Sequence, residues 1–198
     1  MGVSVFPAAA SGPTLSEITS AGTSAGWGAT ASKGPLDITW TNLGTTSMSV
    51  TGSVTISGLS SYKYIKVLFY VSANANCTFW LRFNGDSGGN YAYGAHTITN
   101  GNMYDNVVGD GGVSQFRMTA LDVSAGNWFN GEFTISGNDS GGYKSMSGYA
   151  YGHTGSGLGY HDYRGFWRNN SSVTSFTFLP AGGTNFTANG QIQVLGGN

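Results

Sequence analysis

Charge is scarce in this chain: of 198 residues only 9% are Asp, Glu, Lys or Arg, against about a quarter in an ordinary globular protein. Eight basic and nine acidic side chains leave a formal net charge of -1. Such a chain has no basic stripe to neutralise a run of phosphates, so nucleic-acid binding is excluded as a function class. Cysteine is limited to Cys77, so no intrachain disulfide forms and folding does not depend on an oxidising compartment. Its place at a strand start predicts a small buried side chain. Glutamate occurs only as Glu17 and Glu132, and the seven aspartates are spread singly, which leaves no evident carboxylate pair for a glycosidase. HExxH, GxSxG and CxxC are missing. The run Gly155, Gly157, Gly159 lacks the preceding strand, the following helix and the acidic residue of a dinucleotide loop. These absences predict a non-enzymatic protein with no cofactor and no metal site.

Long apolar runs are also lacking: none approaches the roughly 18 residues of a membrane span. Residues 1–10 carry no basic segment and include Pro7, unlike a secretory leader. Phe6 stands where a myristoylation pattern wants Ser or Thr. Cytoplasmic synthesis is therefore expected, and the five sequons at Asn76, Asn138, Asn169, Asn170 and Asn185 report a chain rich in Asn, Ser and Thr.

What the chain does have is glycine, 33 residues, and aromatics, 14%. Residues 1–35 are rich in Ala, Gly, Ser and Thr and read as an extended N-terminal arm, with Phe6, Leu15, Ile18 and Trp27 as widely spaced apolar anchors for a partner. Beyond Pro35 the period becomes two. Leu36, Ile38, Trp40 and then Val50, Val54, Ile56 alternate, and residues 64–71 form a continuous apolar run suited to a central strand. Cys77, Phe79, Leu81 and Phe83 share one face of the next strand. Further strands are predicted over 116–123, 128–136, 143–151, 163–168, 173–179 and 190–195. No segment has a helical period. The expected fold is all-β: an antiparallel two-sheet β-sandwich of jelly-roll type over residues 36–198, behind an irregular arm.

Two stretches are candidates for recognition. In residues 81–91, LRFNGDSGGNY, Asn84 and Gly85 tolerate positive φ and Asp86 can bond its own turn, so a structural hairpin connection is the plainer reading. The functional reading gathers Asn84, Asp86 and Asn90 as oxygen ligands, with Tyr91 as a stacking face. In residues 143–167, Tyr151, His153, His161, Tyr163 and Trp167 stand among glycines. Such residues either fill a second sheet or form a contact surface for carbohydrate or protein.

Three segments, YIKVLFYVS (64–72), LRFNGDSGGNY and VTSFTFLPAGGTNFTANGQIQVLG (173–196), carry a family resemblance. Over residues 60–198 the chain resembles a small β-sandwich domain that recurs in structural proteins of tailed bacteriophages. The resemblance implies a virion component: a capsid cement or decoration protein on the head surface, with the major capsid protein as partner. The alternative it leaves is a tail-tip or fibre receptor-binding protein recognising host surface glycans. Low charge and excess aromatics suggest self-association, and phage decoration proteins of this kind imply a trimer.

Overall fold

The computed structural model describes residues 38–139 and 141–198, except for the side chains of residues 105–108, 110 and 111. The arm anchors Phe6, Leu15, Ile18 and Trp27 lie outside the described residues. Residues 39–198 form one compact unit of twelve strands and, among the described residues, no helix. The strands are β1 (Trp40–Ser47), β2 (Val54–Ser57), β3 (Tyr64–Ser72), β4 (Phe79–Phe83), β5 (Tyr91–Thr99) and β6 (Asn102–Val113), then β7 (Phe116–Arg117), β8 (Trp128–Ser136), β9 (Lys144–Thr154), β10 (Gly157–Trp167), β11 (Ser175–Pro180) and β12 (Gln191–Gly197).

They build two antiparallel sheets, an eight-stranded one in the order β1-β12-β3-β8-β9-β10-β5-β6 and a four-stranded one in the order β2-β11-β4-β7. Every connection between consecutive strands crosses from one sheet to the other, except β5 to β6, β8 to β9 and β9 to β10. The hairpins β5-β6 and β9-β10 stay within the large sheet and lie side by side beyond β8. Edge strand β1 carries a bulge between Asn42 and Gly44, where Gly44 takes φ 132 and its N–H donates to Asn42 Oδ1. A bulge at an edge blunts further pairing.

The alternation in β3 and β4 explains the core. Ile65, Val67, Phe69 and Val71 point inward from β3, and Phe79, Leu81 and Phe83 from β4. Phe69, Phe79, Phe129, Phe178 and Phe186 interlock, the closest pair being Phe79 and Phe129, stacked with centroids 4.6 Å apart. Each fully buried ring contributes roughly 1.5–3 kcal/mol by leaving water. A second group forms at the other end, where Phe83, Tyr91, Phe116 and Trp167 meet edge to face or tilted. Cys77 is buried as its position implied, and burial pushes its thiol pKa up.

Polar ties close the sandwich. Asn138 is wholly buried, and its side-chain N–H groups reach the carbonyls of Leu59, Tyr62 and Val173, while the Val173 N–H donates to its Oδ1. One side chain thereby ties the β2-β3 connection to the chain entering β11.

The sequence reading needs correcting in three places. Strands β5 and β6 were not expected, the strand predicted over 116–123 shrinks to Phe116–Arg117, and β10 begins at Gly157 rather than at residue 163. The glycine run there is part of a tight hairpin in which Thr154 pairs with Gly157.

Candidate functional site

The 81–91 stretch holds the expected structural turn but not the expected hairpin, because β4 and β5 lie in different sheets and do not pair. Asn84 and Gly85 take φ 52 and 68, and the Asp86 N–H donates to the Phe83 carbonyl at 2.8 Å, a two-residue turn between β4 and the chain leading into β5. Asn84 is not free to bind a ligand. Its Oδ1 accepts from Thr174 N, Thr174 Oγ1 and Ser175 N, and its Nδ2 donates to the Ser172 carbonyl. Asp86 accepts from Gly88 N at 2.8 Å, Asn90 Nδ2 at 2.9 Å and Trp167 Nε1 at 2.7 Å. Burial acts to raise the Asp86 pKa, but the bonds from Trp167, Asn90 and Gly88 outweigh it and hold the carboxyl below its usual value. Tyr91 is fully buried, its hydroxyl bonding Phe83 and Asp86 backbone. Asn84, Asp86, Asn90, Tyr91 and Trp167 are thus brought together, as a structural clasp. Replacing Asn84 by glycine keeps the positive φ and removes only the clasp, so chemical denaturation should show a loss of about 1–2 kcal/mol. Unchanged stability would mean that these bonds hold nothing.

The second candidate cluster divides by strand parity. On β10 the inward positions are His161, Tyr163 and Trp167, all buried. Of the two readings open for these residues, the structure gives the interior one: with Tyr91 they fill the core and form no contact surface. Tyr163 donates to the carbonyls of Glu132 and Tyr149 at 2.9 and 3.3 Å. His161 Nδ1 shares a 2.8 Å hydrogen bond with Thr97 Oγ1, while its Nε2 has no partner among the described residues. Burial lowers its pKa to about 4. Tyr151 and His153 point outward from β9.

Outward positions assemble something that local sequence did not reveal. Strand registers place Gln191, Tyr70, Asn130, Tyr151 and Tyr160 in one row across β12, β3, β8, β9 and β10. A second row runs Gln193, Leu68, Glu132, Tyr149, Asp162 across the same strands. Between the rows lies an open cleft of about 480 Å³, lined by Leu68, Tyr70, Asn130, Glu132, Tyr149, Tyr151, Gln191 and Gln193 among others. Tyr70 stacks on Trp128 with centroids 3.8 Å apart and planes 13° from parallel. Tyr151 packs against Tyr160 at 5.4 Å and Tyr149 at 6.3 Å. Glu132 is paired with Lys66 at 2.9 Å.

A further cleft of about 650 Å³ opens over β9, β10 and β5, with Tyr93, Met146, Arg164 and Phe166 in its lining. Among the described residues, no three His, Cys, Asp or Glu side chains gather as a metal site would require. Set beside known proteins, the chain matches no family model and no curated protein.

Proposed function

We propose that this protein is a non-enzymatic virion surface protein of a tailed bacteriophage, a capsid decoration protein whose arm, through Phe6, Leu15, Ile18 and Trp27, attaches it to the major capsid protein. The alternation of the chain between sheets, with β5-β6 and β9-β10 as inserted hairpins, supports reading the domain as a jelly roll. The observation carrying the functional reading is the outer face of the eight-stranded sheet, where large apolar side chains stand in water: Leu158 at 67% exposure, Phe166 at 56% and Met103 at 62%. A face that leaves such apolar side chains uncovered suits close packing against neighbours. Labelling of intact particles should find the protein on the head, and purified chain at micromolar concentration should sediment as a trimer. A stable monomer, or label confined to the tail, would overturn this reading.

A tail-tip or fibre receptor-binding protein is the second reading. It is favoured by the meeting of exposed tyrosines and amide side chains in the 480 Å³ cleft, since rigid aromatics beside hydrogen-bonding groups are the makings of a recognition surface.

A further inference from the structure

We infer that the cleft on the outer face of the large sheet binds a neutral oligosaccharide, laid across the strands along the row Gln191, Tyr70, Asn130, Tyr151. The inference deepens the receptor-binding reading and rests on it for the source of the sugar.

Length comes first. Four strands about 4.8 Å apart make the lined row roughly 14 Å long, and the cleft's volume falls within the range of about 300–1,000 Å³ common to small-ligand sites. It is open along the row, so it suits a chain of rings better than one enclosed molecule.

The lining matches carbohydrate in both of its surfaces. A pyranose has an apolar C–H face and a rim of hydroxyls that donate and accept. Tyr70, Tyr149 and Tyr151 stand 44%, 40% and 43% exposed, offering flat apolar surface. Their rings are already fixed, Tyr70 by Trp128 and Tyr151 by Tyr160, so little side-chain entropy is lost when a ligand arrives. Between them Asn130, Gln191 and Gln193 carry amides that both donate and accept, and no protein hydrogen bond engages these amides among the described residues.

Charge selects the class of sugar. The ionised group in the lining, Glu132, is neutralised by Lys66 at 2.9 Å. No unpaired cation in the lining waits for a uronate, sulfate or phosphate, so a neutral glycan fits and an acidic one does not. A peptide is disfavoured because β3, β8 and β9 are each paired on both sides, leaving no backbone edge for strand addition.

The test titrates the full chain with cellohexaose, maltohexaose and mannohexaose, and with oligogalacturonate as the acidic comparison. Calorimetry gives affinity, and NMR follows the indole of Trp128, assigned with Trp128→Phe. At least one neutral hexasaccharide should bind and shift that indole. Tyr151→Ala should weaken binding about tenfold or more, and Gln193→Ala should weaken it too, both in protein that remains folded by its thermal midpoint, since neither side chain belongs to the core. Four results would overturn the site: no neutral sugar binding at millimolar concentration, binding of the acidic sugar alone, indifference to both substitutions, or a Tyr151→Ala effect on self-association without one on sugar. Host-cell binding that persists while every sugar fails would remove this site and leave the receptor-binding reading standing. Sugar binding by a protein located on the head would do the reverse.

Discussion

Gly148→Ala should destabilise the domain by about 3 kcal/mol, a large cost for one methyl group. Gly148 lies on the inner side of β9, with Tyr163 of β10 packed over it. A Cβ there would stand 2.2 Å from the Glu132 carbonyl oxygen, 2.7 Å from Phe133 Cβ and 2.7 Å from Tyr163 Cε2. The first two atoms belong to the neighbouring strand β8, which cannot retreat without opening the β8-β9 ladder. The Tyr163 ring cannot swing away, because its hydroxyl is tied to the Glu132 and Tyr149 carbonyls. Gly94 supplies the control: its added Cβ would meet nothing within 4 Å, so Gly94→Ala should be nearly neutral or slightly stabilising. Urea midpoints of the two variants decide the matter. Equal midpoints would show that Tyr163 does not pack where described.

Lowering the pH from neutral to about 4 should remove on the order of 3 kcal/mol of stability through His161 alone. Thr97 Oγ1 accepts from the Ala120 N–H at 3.1 Å and shares a 2.8 Å bond with His161 Nδ1, so Nδ1 is partnered in either tautomer, whereas Nε2 has no partner among the described residues. Nε2 faces the gap left by Gly152 and Gly159, and the doubly protonated ring would carry a full charge in the interior with no acceptor before its Nε2–H among the described residues. The folded pKa is therefore depressed to about 4, while the unfolded chain titrates near 6.5. Above 6.5 both states are neutral and the full stability is present. As pH falls through 6.5 the unfolded chain binds a proton that the folded one refuses, and the loss is complete below about 4. His161→Leu should flatten the curve across this window. Asp86, also depressed, acts in a separate window: its contribution is present above the unfolded value of 3.8 and disappears as pH falls through the lower folded value. A wild-type curve that stays level between 6.5 and 4 would place His161 in contact with water.

The sandwich was readable wherever large apolar side chains alternate without interruption, as at Ile65, Val67, Phe69 and Val71, and in the turn at Asn84 and Gly85. It was unreadable where the inward positions hold glycine or polar groups. In β9 and β10 those positions include Gly148, Gly152, Gly159 and His161, and in β5 they include Thr97 and Thr99, so the period of two loses its apolar half. A usable signal for β5 and β6 was the pair Asn100 and Gly101, which take φ 49 and 75 in a two-residue hairpin. Residue type suggested the aromatic surface in residues 143–167, but not which rings face out, because parity cannot be counted until the hairpin is placed. The row from Gln191 to Tyr160 was out of reach for a stronger reason. Its members come from three consecutive strands, β8 to β10, joined to β3 and β12 far away in sequence, and register between strands is set by the whole sheet.

Asn138 has a consequence for how the protein can be produced. Asn138, Asp139 and Ser140 form an acceptor for N-linked glycosylation, and the same Asn138 amide is sealed inside the domain, bonded to Leu59, Tyr62 and Val173. In a eukaryotic secretory host, oligosaccharyltransferase acts on the emerging chain before the sandwich has closed. A chain carrying the branched sugar at that nitrogen could not bury it and would remain open, a substrate for quality control rather than a product. Glycosylation at Asn138 and the folded domain therefore exclude one another.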